Sequence, residues 1–365
     1  MDKQGPILYL LDHEMRNMNV SSHAPHEQTD NAIRIIGLWL IMICIMVFAM
    51  VVLGGFTRLT ESGLSMTDWR PVTGWLPPMS EAAWQAQFDG YRASPEYLKV
   101  NAGMSLDQFK EIFWLEYLHR LWGRLIGLAF AIPFCVFLAK RWIGKKLMLR
   151  LVILFALGGM QGLIGWWMVK SGLVDHPDVS QYRLAIHLMM AFLIIGIGLW
   201  FALDLLEPAG EAAPQLLIRL SSLTVLLVFV TAFSGALVAG LNAGLIYNTF
   251  PLMLGEFYPS EGFQIRPWYL NFFEDIPTVQ FDHRWLAVLT FLVVVITWLA
   301  SRKEGRRIRL RANMLFALAL LQVALGISTL LLVVPIPLAA AHQAGAVALF
   351  AGSIWFRHGM NRGSD

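Results

Sequence analysis

Long apolar runs separated by short polar stretches dominate the hydropathy pattern of this chain. A membrane-spanning helix needs roughly 20 mostly apolar residues, and eight segments have this character. They lie at about 33–53, 117–138, 149–169, 183–203, 216–240, 283–300, 312–334 and 338–356. The pattern predicts an all-α polytopic membrane protein with eight transmembrane helices.

The composition excludes a water-soluble protein. Hydrophobic residues make up 57% of the 365 positions and charged residues only 15%, whereas soluble domains average about 25% charged residues. The two cysteines, Cys44 and Cys135, both lie inside apolar runs. Their placement indicates neither a metal-ligand spacing nor a disulfide framework.

Basic residues mark the loops expected on the cytoplasmic side, where Lys and Arg accumulate. The loop after the fourth span would also lie in the cytoplasm, but it is acidic, which is weak evidence against this orientation. Two strongly basic loops outweigh it, and they place both termini in the cytoplasm. These loops contain Lys140, Arg141, Lys145, Lys146 and Arg150 after the second span, and Arg302, Lys303, Arg306, Arg307, Arg309 and Arg311 after the sixth.

Two long loops, at about 54–116 and 241–282, then lie on the outer face. Ser94-Pro95 has the pattern of a helix N-cap followed by proline at the first helical position. Ser105 with Gln108 fits a capping box. One helix is therefore expected to start near Leu106 and to continue into the second span.

The chain also repeats itself, with four landmarks in the same order in each half. This order predicts a duplicated four-helix unit, giving two parallel four-helix-bundle repeats related by an axis along the membrane normal. The predicted parts are a polar cytoplasmic tail 1–32, a first half 33–203, a cytoplasmic linker 204–219, a second half 220–356 and a cytoplasmic tail 357–365. The matched pairs are 54–64 with 235–245, 117–120 with 281–284, 161–165 with 322–326, and 185–187 with 340–342.

Nine histidines are present, and they fall into two groups. Five are interpreted as solvated residues of tails and loops: His13, His23, His26, His176 and His358. The other four begin the even-numbered spans at the outer end, in equivalent positions of the two halves: His119, His187, His283 and His342. A tetrahedral zinc site would need further ligands close by, whereas two histidines in each half suit the axial positions of a heme iron.

Residues beside these histidines differ between the halves in one respect. Glu116 precedes His119 by three residues and shares its helix face, but the corresponding residue in the second half is Gln280. This asymmetry suggests acid–base chemistry at the first site and electron transfer at the second. The alternative is that Glu116 simply lies at the water interface.

Arg120 and Arg284 follow two of the histidines, and they either pair with heme propionates or extend to the membrane interface.

Four stretches carry a resemblance to a known family: Gly55–Ser65, Glu116–Arg120, Tyr247–Met253 and Gln280–Arg284. Over about residues 33–356 the chain resembles the heme A synthase family of the bacterial and mitochondrial type that lacks a cysteine pair in the outer loops. The resemblance implies an oxidoreductase that converts the C8 methyl group of heme O to the formyl group of heme A for terminal oxidases.

The resemblance also implies roles for individual residues. His283 and His342 would hold a resident heme b as a bis-histidine pair, with Arg120 and Arg284 as further heme-binding residues. His119 and His187 would face the substrate, heme O, and Glu116 would be needed for catalysis. The family implies a bacterial inner membrane location, contact with heme O synthase and an electron carrier such as quinone, and no nucleic-acid partner, and it is compatible with a homo-oligomer.

Two other classes of protein fit part of the pattern. A diheme b-type cytochrome that only transfers electrons between quinone and a partner would use the same four histidines but would give Glu116 no task. A transporter with parallel repeats would place polar residues near the bilayer midplane. Here the polar landmarks cluster at the outer end, which ranks the transporter last.

Overall fold

The computed structural model describes residues 5–68, 74–172, 179–207 and 210–362, with side chains described from Asp30 onward to Met360. Helices account for almost all of its regular structure. In chain order the elements are α1 (Gly5–Leu59), α2 (Glu81–Arg92), α3 (Pro95–Lys99), α4 (Leu106–Ala139), α5 (Lys145–Gly172), α6 (Gln181–Leu206), β1 (Glu211–Ala213), α7 (Gln215–Gly240), α8 (Asn271–Glu274), α9 (Ile276–Ala300), α10 (Arg306–Leu331), α11 (Ile336–His358) and β2 (Met360–Arg362).

Within these described residues, eight helices are long and apolar enough to cross a membrane, as predicted. They are α1, α4, α5, α6, α7, α9, α10 and α11. Many of their large apolar side chains face outward, for example Ile45 (62% exposed) and Leu163 (60%). Such side chains would be unfavourable in water and are the surface that a bilayer accepts. The protein is therefore a multi-pass membrane protein.

Two helix starts in the first long loop were predicted correctly. Ser94 caps α3 and accepts a hydrogen bond from the backbone N–H of Tyr97, with Pro95 in the first turn. Ser105 caps α4, and both hydrogen bonds of its capping box with Gln108 are present. Because this box fixes the start at Leu106, α4 begins about three turns before the apolar run, and its first turns carry the chain's polar landmarks.

The predicted polar tail 1–32 is helical where the structure describes it, because α1 runs without interruption from Gly5 to Leu59. That it forms a separate part of the chain stays a prediction. Hydropathy marks only the stretch that suits a membrane, and a helix does not have to end where its apolar residues end. The boundaries predicted for the two halves and their linker stay predictions.

The spanning helices pack in the same pairs in each half of the chain. In the first half α1 contacts α4 and α6, and α5 contacts α4 and α6; in the second half α7 contacts α9 and α11, and α10 contacts α9 and α11. The halves meet where α6 packs against α7 and where α1 and α6 pack against α11. This matched packing is what the predicted duplication requires, and the duplication itself stays a prediction.

The two ends of the bundle are built differently. The long loops, including α2, α3 and α8, lie at one end, called here the long-loop end. At the other end, the short-loop end, β1 and β2 form a small parallel sheet that joins the residues after α6 to the C-terminal residues. These two short strands leave the all-α fold class unchanged, and they pair because both segments are extended and adjacent once the helices have packed.

An ion-pair network also closes the short-loop end. Arg311 of α10 donates to Glu207 at 2.6 Å, and Arg150 of α5 donates to Asp204 at 2.7 Å. His358 bonds Asp204 at 3.0 Å, and its side chain is only 9% exposed. The interpretation of His358 as a solvated residue was therefore wrong, because its neighbours come from helices that are distant in sequence.

Candidate functional site

The four symmetric histidines occupy matched places near the long-loop end of the bundle. His119 lies on α4, His187 on α6, His283 on α9 and His342 on α11. His119 is within electrostatic range of His187, and His283 is within electrostatic range of His342. The structure therefore brings the predicted residues together as one pair in each half.

A glycine on the neighbouring helix makes room for each imidazole ring. A β-carbon placed on any of these glycines would crowd the ring's Cε1 atom. The contact would be closer than real β-carbons show at Gly165 and Gly326, and at Gly54 and Gly235 the ring would have to shift slightly. Glycine therefore allows each ring to lie close against the neighbouring helix. The distances are 3.0 Å for Gly54 to His119, 2.9 Å for Gly165 to His187, 3.0 Å for Gly235 to His283, and 2.8 Å for Gly326 to His342.

The helices that carry each pair lie diagonally across their bundle. In the described chain, α4 and α6 have at most a marginal contact, and the same is true of α9 and α11. The two histidines of a pair therefore come from helices on opposite sides of their bundle and not from a packed helix interface. A group bound by both of them would have to span the bundle interior.

The ring nitrogens leave capacity for a ligand. The Nδ1 atoms of His119, His187 and His342 are buried without a hydrogen-bond partner. The described residues contain no cluster of three or more His, Cys, Asp or Glu side chains that would hold a metal ion. Zinc sites need such a cluster, whereas a bis-histidine heme needs only the pair, so the residues present fit a heme in each half.

Glu116 is held by a set of donors from the first long loop. It is 3% exposed. Its Oε2 accepts from the Ser65 hydroxyl and from the backbone N–H of Met66, both at 2.7 Å. Its Oε1 accepts from Arg120 one turn further along α4. The carboxylate is thus desolvated and fixed in orientation, which a Glu at an open water interface would not be.

Gln280 occupies the equivalent place in the second half with an amide in place of the carboxylate. Its Oε1 accepts from Arg284 at 3.1 Å, and its Nε2 donates to the backbone carbonyl of Ala243 at 2.9 Å. The two halves therefore share one scaffold at this position. Only the first half carries an acid–base group there.

The two arginines make a set of contacts that the sequence did not suggest. Arg120 donates to the carbonyls of Met66 (2.9 Å) and Asp68 (3.0 Å). Arg284 donates to the carbonyls of Tyr247 (2.7 Å) and Thr249 (2.8 Å). Arg120 therefore connects the loop after α1 to α4, which carries His119. Arg284 connects the loop after α7 to α9, which carries His283.

A cavity of about 240 Å³ lies beside Arg120. It is a half-open cleft between α4 and the first long loop, and Arg124, one turn further along α4 than Arg120, also lines it. The position in the second half that corresponds to Arg124 is Val288. The first half is therefore the more basic of the two at this depth.

A second carboxyl group lies buried near Glu116. Glu96 of α3 is 4% exposed, and its Oε2 has no hydrogen-bond partner. Burial raises the pKa of Glu96 to about 8, with smaller contributions from the charges of Glu116 and Glu61. At neutral pH this side chain is mostly protonated, so it adds no full negative charge beside Glu116.

Two glutamines within spans form matched bonds across helices. Gln161 of α5 donates to the backbone carbonyl of His187 at 3.1 Å, and Gln322 of α10 donates to that of His342 at 3.0 Å. These bonds give both glutamines a structural role between neighbouring helices. Of the remaining histidines, His176 lies outside the described residues, and the side chains of His13, His23 and His26 are not among those described.

One contact was missed by the sequence analysis. The Ser234 hydroxyl lies 2.9 Å from Nδ1 of His283, so that His283 alone among the four has a side-chain partner in the described structure. A signal was present, since aligning Gly54 with Gly235 places Ser234 opposite Leu53. A polar residue in one half at the position of an apolar residue in the other half indicates that the two sites have different functions.

Comparison with known proteins shows which family this chain resembles. The family model described as cytochrome oxidase assembly protein, COX15-CtaA, matches residues 37–354. A heme A synthase of Nitrosospira multiformis is 52% identical over 333 residues, spanning 90% of this chain and 94% of the relative. One of Parvibaculum lavamentivorans is 52% identical over 332 residues, spanning 91% and 96%.

A plant relative extends the similarity beyond bacteria. Heme A synthase COX15 of Arabidopsis thaliana is 46% identical over 344 residues, which span 90% of this chain and 75% of the relative. All four histidines and Glu116 lie inside the region matched by the family model. From this coverage and this similarity, the chain belongs to the cytochrome oxidase assembly protein family, COX15-CtaA.

Proposed function

We propose that this protein is a heme A synthase, an oxidoreductase that converts the C8 methyl group of heme O to the formyl group of heme A. The observation that carries the proposal is the pair of opposed histidines in each half, with a carboxylate beside only one pair. The names of the similar proteins support the same reaction. A membrane enzyme also suits a farnesylated substrate, which enters from lipid.

The two halves divide the work. His283 and His342 hold a resident heme b, and His119 with His187 receives the substrate heme. When bound, the resident heme supplies a one-electron relay for the oxidation. The matched glycines keep all four rings in place, so the substrate pair is oriented before heme O arrives.

Glu116 provides the acid–base group for the reaction. Conversion of a methyl to a formyl group adds one oxygen atom and removes protons with the electrons. A carboxylate held by Ser65, Met66 and Arg120 cannot turn away, and it positions water or accepts protons at a fixed place. Gln280 offers no such acceptor of protons in the second half.

The arginines and the cavity suit the substrate's propionates. Arg120 and Arg124 line the same cavity at the long-loop end, and guanidinium groups bind carboxylates in a bidentate manner. Arg284 has the matching place beside the resident heme. Each arginine then links a propionate to a loop that it already anchors.

The orientation follows from charge. The short-loop end carries the two basic loops, and such loops stay in the cytoplasm. We therefore place both termini in the cytoplasm and both heme sites near the outer face of a bacterial inner membrane. Heme O synthase as the supplier of substrate and a quinone as electron carrier are the partners that this reaction calls for.

The test is heme extraction from cells that express the protein with a supply of heme O. New heme A supports the synthase, whereas bound heme without heme A would identify an electron-transferring diheme cytochrome. The purified His283→Ala variant is expected to lose heme b, and His119→Ala is expected to keep it while losing heme A production. Equal loss of heme b in both variants would contradict the division between halves.

A further inference from the structure

The contact between Ser234 and His283 determines which ring nitrogen carries the proton. The Ser234 hydroxyl donates its single hydrogen to the backbone carbonyl of Thr231 at 2.8 Å. Its oxygen is then left as an acceptor, 2.9 Å from Nδ1 of His283. With its hydrogen used in this way, the hydroxyl oxygen can only accept from the ring. In this arrangement Nδ1 carries the hydrogen, and Nε2 keeps its free lone pair.

The other three histidines lack this device in the described structure. The Nδ1 atoms of His119, His187 and His342 are buried with no hydrogen-bond partner. At His119 the place of Ser234 is taken by Leu53, whose side chain can neither donate nor accept. The two halves therefore differ at this position of the repeat, because only the second half places a hydroxyl group beside its histidine.

We propose that Ser234 is a positioning residue that makes His283 the anchored axial ligand of the resident heme. The inference rests on the proposed function and adds to it a reason why one heme stays while the other is exchanged. A ring nitrogen that donates to an oxygen fixes the tautomer and orientation of a ligating imidazole and raises its basicity. His119, opposite Leu53, lacks this support and releases its ligand more readily, as a site that must exchange substrate for product requires.

Two measurable properties follow. Loss of an outer partner of this kind weakens metal binding by about 10- to 100-fold, so removal of the hydroxyl should speed loss of the resident heme. A more basic imidazole also stabilises ferric over ferrous iron. The midpoint potential of the resident heme should therefore rise when Ser234 is replaced by Ala.

The chain supplies a matched control on the same helix. Ser221 is fully buried and donates to the carbonyl of Ile218 at 2.8 Å, as Ser234 does to Thr231, but it lies near the short-loop end of α7, away from the histidines. Ser221→Ala removes the same kind of bond without touching a histidine. Ser234→Thr keeps a hydroxyl in reach and should restore wild-type behaviour.

The experiment uses purified full-length protein with its heme, in detergent. Heme transfer to excess apomyoglobin gives the retention of the resident heme, and a spectroelectrochemical titration gives its potential. We expect Ser234→Ala to transfer heme at least about tenfold faster and to have a higher potential, while Ser221→Ala and Ser234→Thr match the wild type. Ser234→Cys, with a sulfur that accepts only weakly, should fall between them and gives the answer if the Ala variant does not accumulate.

Two results would overturn the proposal. One is a Ser234→Ala protein with wild-type heme retention and potential; the other is an equal change in Ser221→Ala, which would show a general effect of losing a buried serine. Failure of the proposed function looks different, because the wild-type protein would then hold no heme through His283 or would make no heme A.

Discussion

Replacing Glu116 with Gln turns the first half into a copy of the second at one position. In the second half the amide of Gln280 is satisfied, because its oxygen faces Arg284 and its nitrogen faces a carbonyl. In the first half the second carboxylate oxygen faces two donors, the Ser65 hydroxyl and the Met66 N–H. An amide nitrogen placed there meets a backbone N–H that it cannot bond.

The structural cost of this change has two parts. Glu116→Gln loses the bond from the Met66 N–H, or roughly 2 kcal/mol, and it removes the negative charge from a buried ion pair with Arg120, which adds to the cost because a buried charge loses its partner. Ser65 can rotate its hydroxyl, and Arg120 keeps its bonds to the carbonyls of Met66 and Asp68. A local loss of this size leaves the loop in place. The chemical cost is larger, because removal of a general acid–base group slows a reaction by about 100- to 10,000-fold.

The assay compares heme A formed with heme bound in the same preparation. Extracted hemes are separated by chromatography and normalised to protein, and thermal unfolding is measured in parallel. Ser65→Ala is the matched control, because it removes one of the bonds to Glu116 but keeps the carboxylate. We expect Glu116→Gln to retain both hemes and to form almost no heme A. Ser65→Ala, which keeps the ion pair with Arg120, should be somewhat less destabilised and far more active.

Wild-type heme A yield from Glu116→Gln would refute the catalytic role. Equal activity losses in Glu116→Gln and Ser65→Ala, in proportion to their unfolding temperatures, would mean that Glu116 only anchors the loop. Loss of bound heme in Glu116→Gln would place the residue in heme binding instead of in the oxidation step.

Three further outcomes are expected. Gly326→Ala puts a methyl group 2.8 Å from Cε1 of His342 and should lower the resident heme content. Gly158→Ala is the control, because it has open space around it and should not change the heme content. Equal heme content in both variants would mean that the His342 ring has room to move. Because the pKa of Glu96 is raised to about 8 by burial, the folded protein binds this proton more tightly than the unfolded chain does. Its unfolding temperature should therefore fall as pH rises from about 5 to 8, and Glu96→Gln should flatten that profile; an unchanged profile would contradict the raised pKa. Arg311→Ala breaks the 2.6 Å ion pair with Glu207, directly after α6, at the short-loop end. It should cost about 1–3 kcal/mol without changing the heme spectrum, and a changed spectrum would contradict the separation of the two ends.

Local sequence determined the helices and several of their starts. The eight apolar runs became spanning helices because a bilayer accepts only backbone whose polar groups are bonded internally. Ser105 and Gln108 started α4 at the predicted residue because a capping box involves residues only three positions apart. The four histidines were found because their spacing relative to the apolar runs recurs in the second half of the chain.

The surroundings of those histidines depended on tertiary structure. Glu116 accepts two of its three hydrogen bonds from residues 50 and 51 positions away, and Ser234 bonds a ring 49 positions away. His358, taken for a solvated residue, is held by Asp204, 154 positions away. Sequence identifies such groups as polar but does not say which partners will satisfy them.

The sequence by itself therefore determined how many times the chain crosses the membrane, where the histidines lie along the helices, and which half carries a carboxylate. Only the tertiary structure decided that the histidine-bearing helices are diagonal, that a glycine receives each ring, and that one imidazole is tied to a serine. The physical reason is the distance along the chain over which each kind of interaction acts. Hydropathy and capping act within a few turns of one helix, whereas contacts between side chains arise only after distant helices have packed.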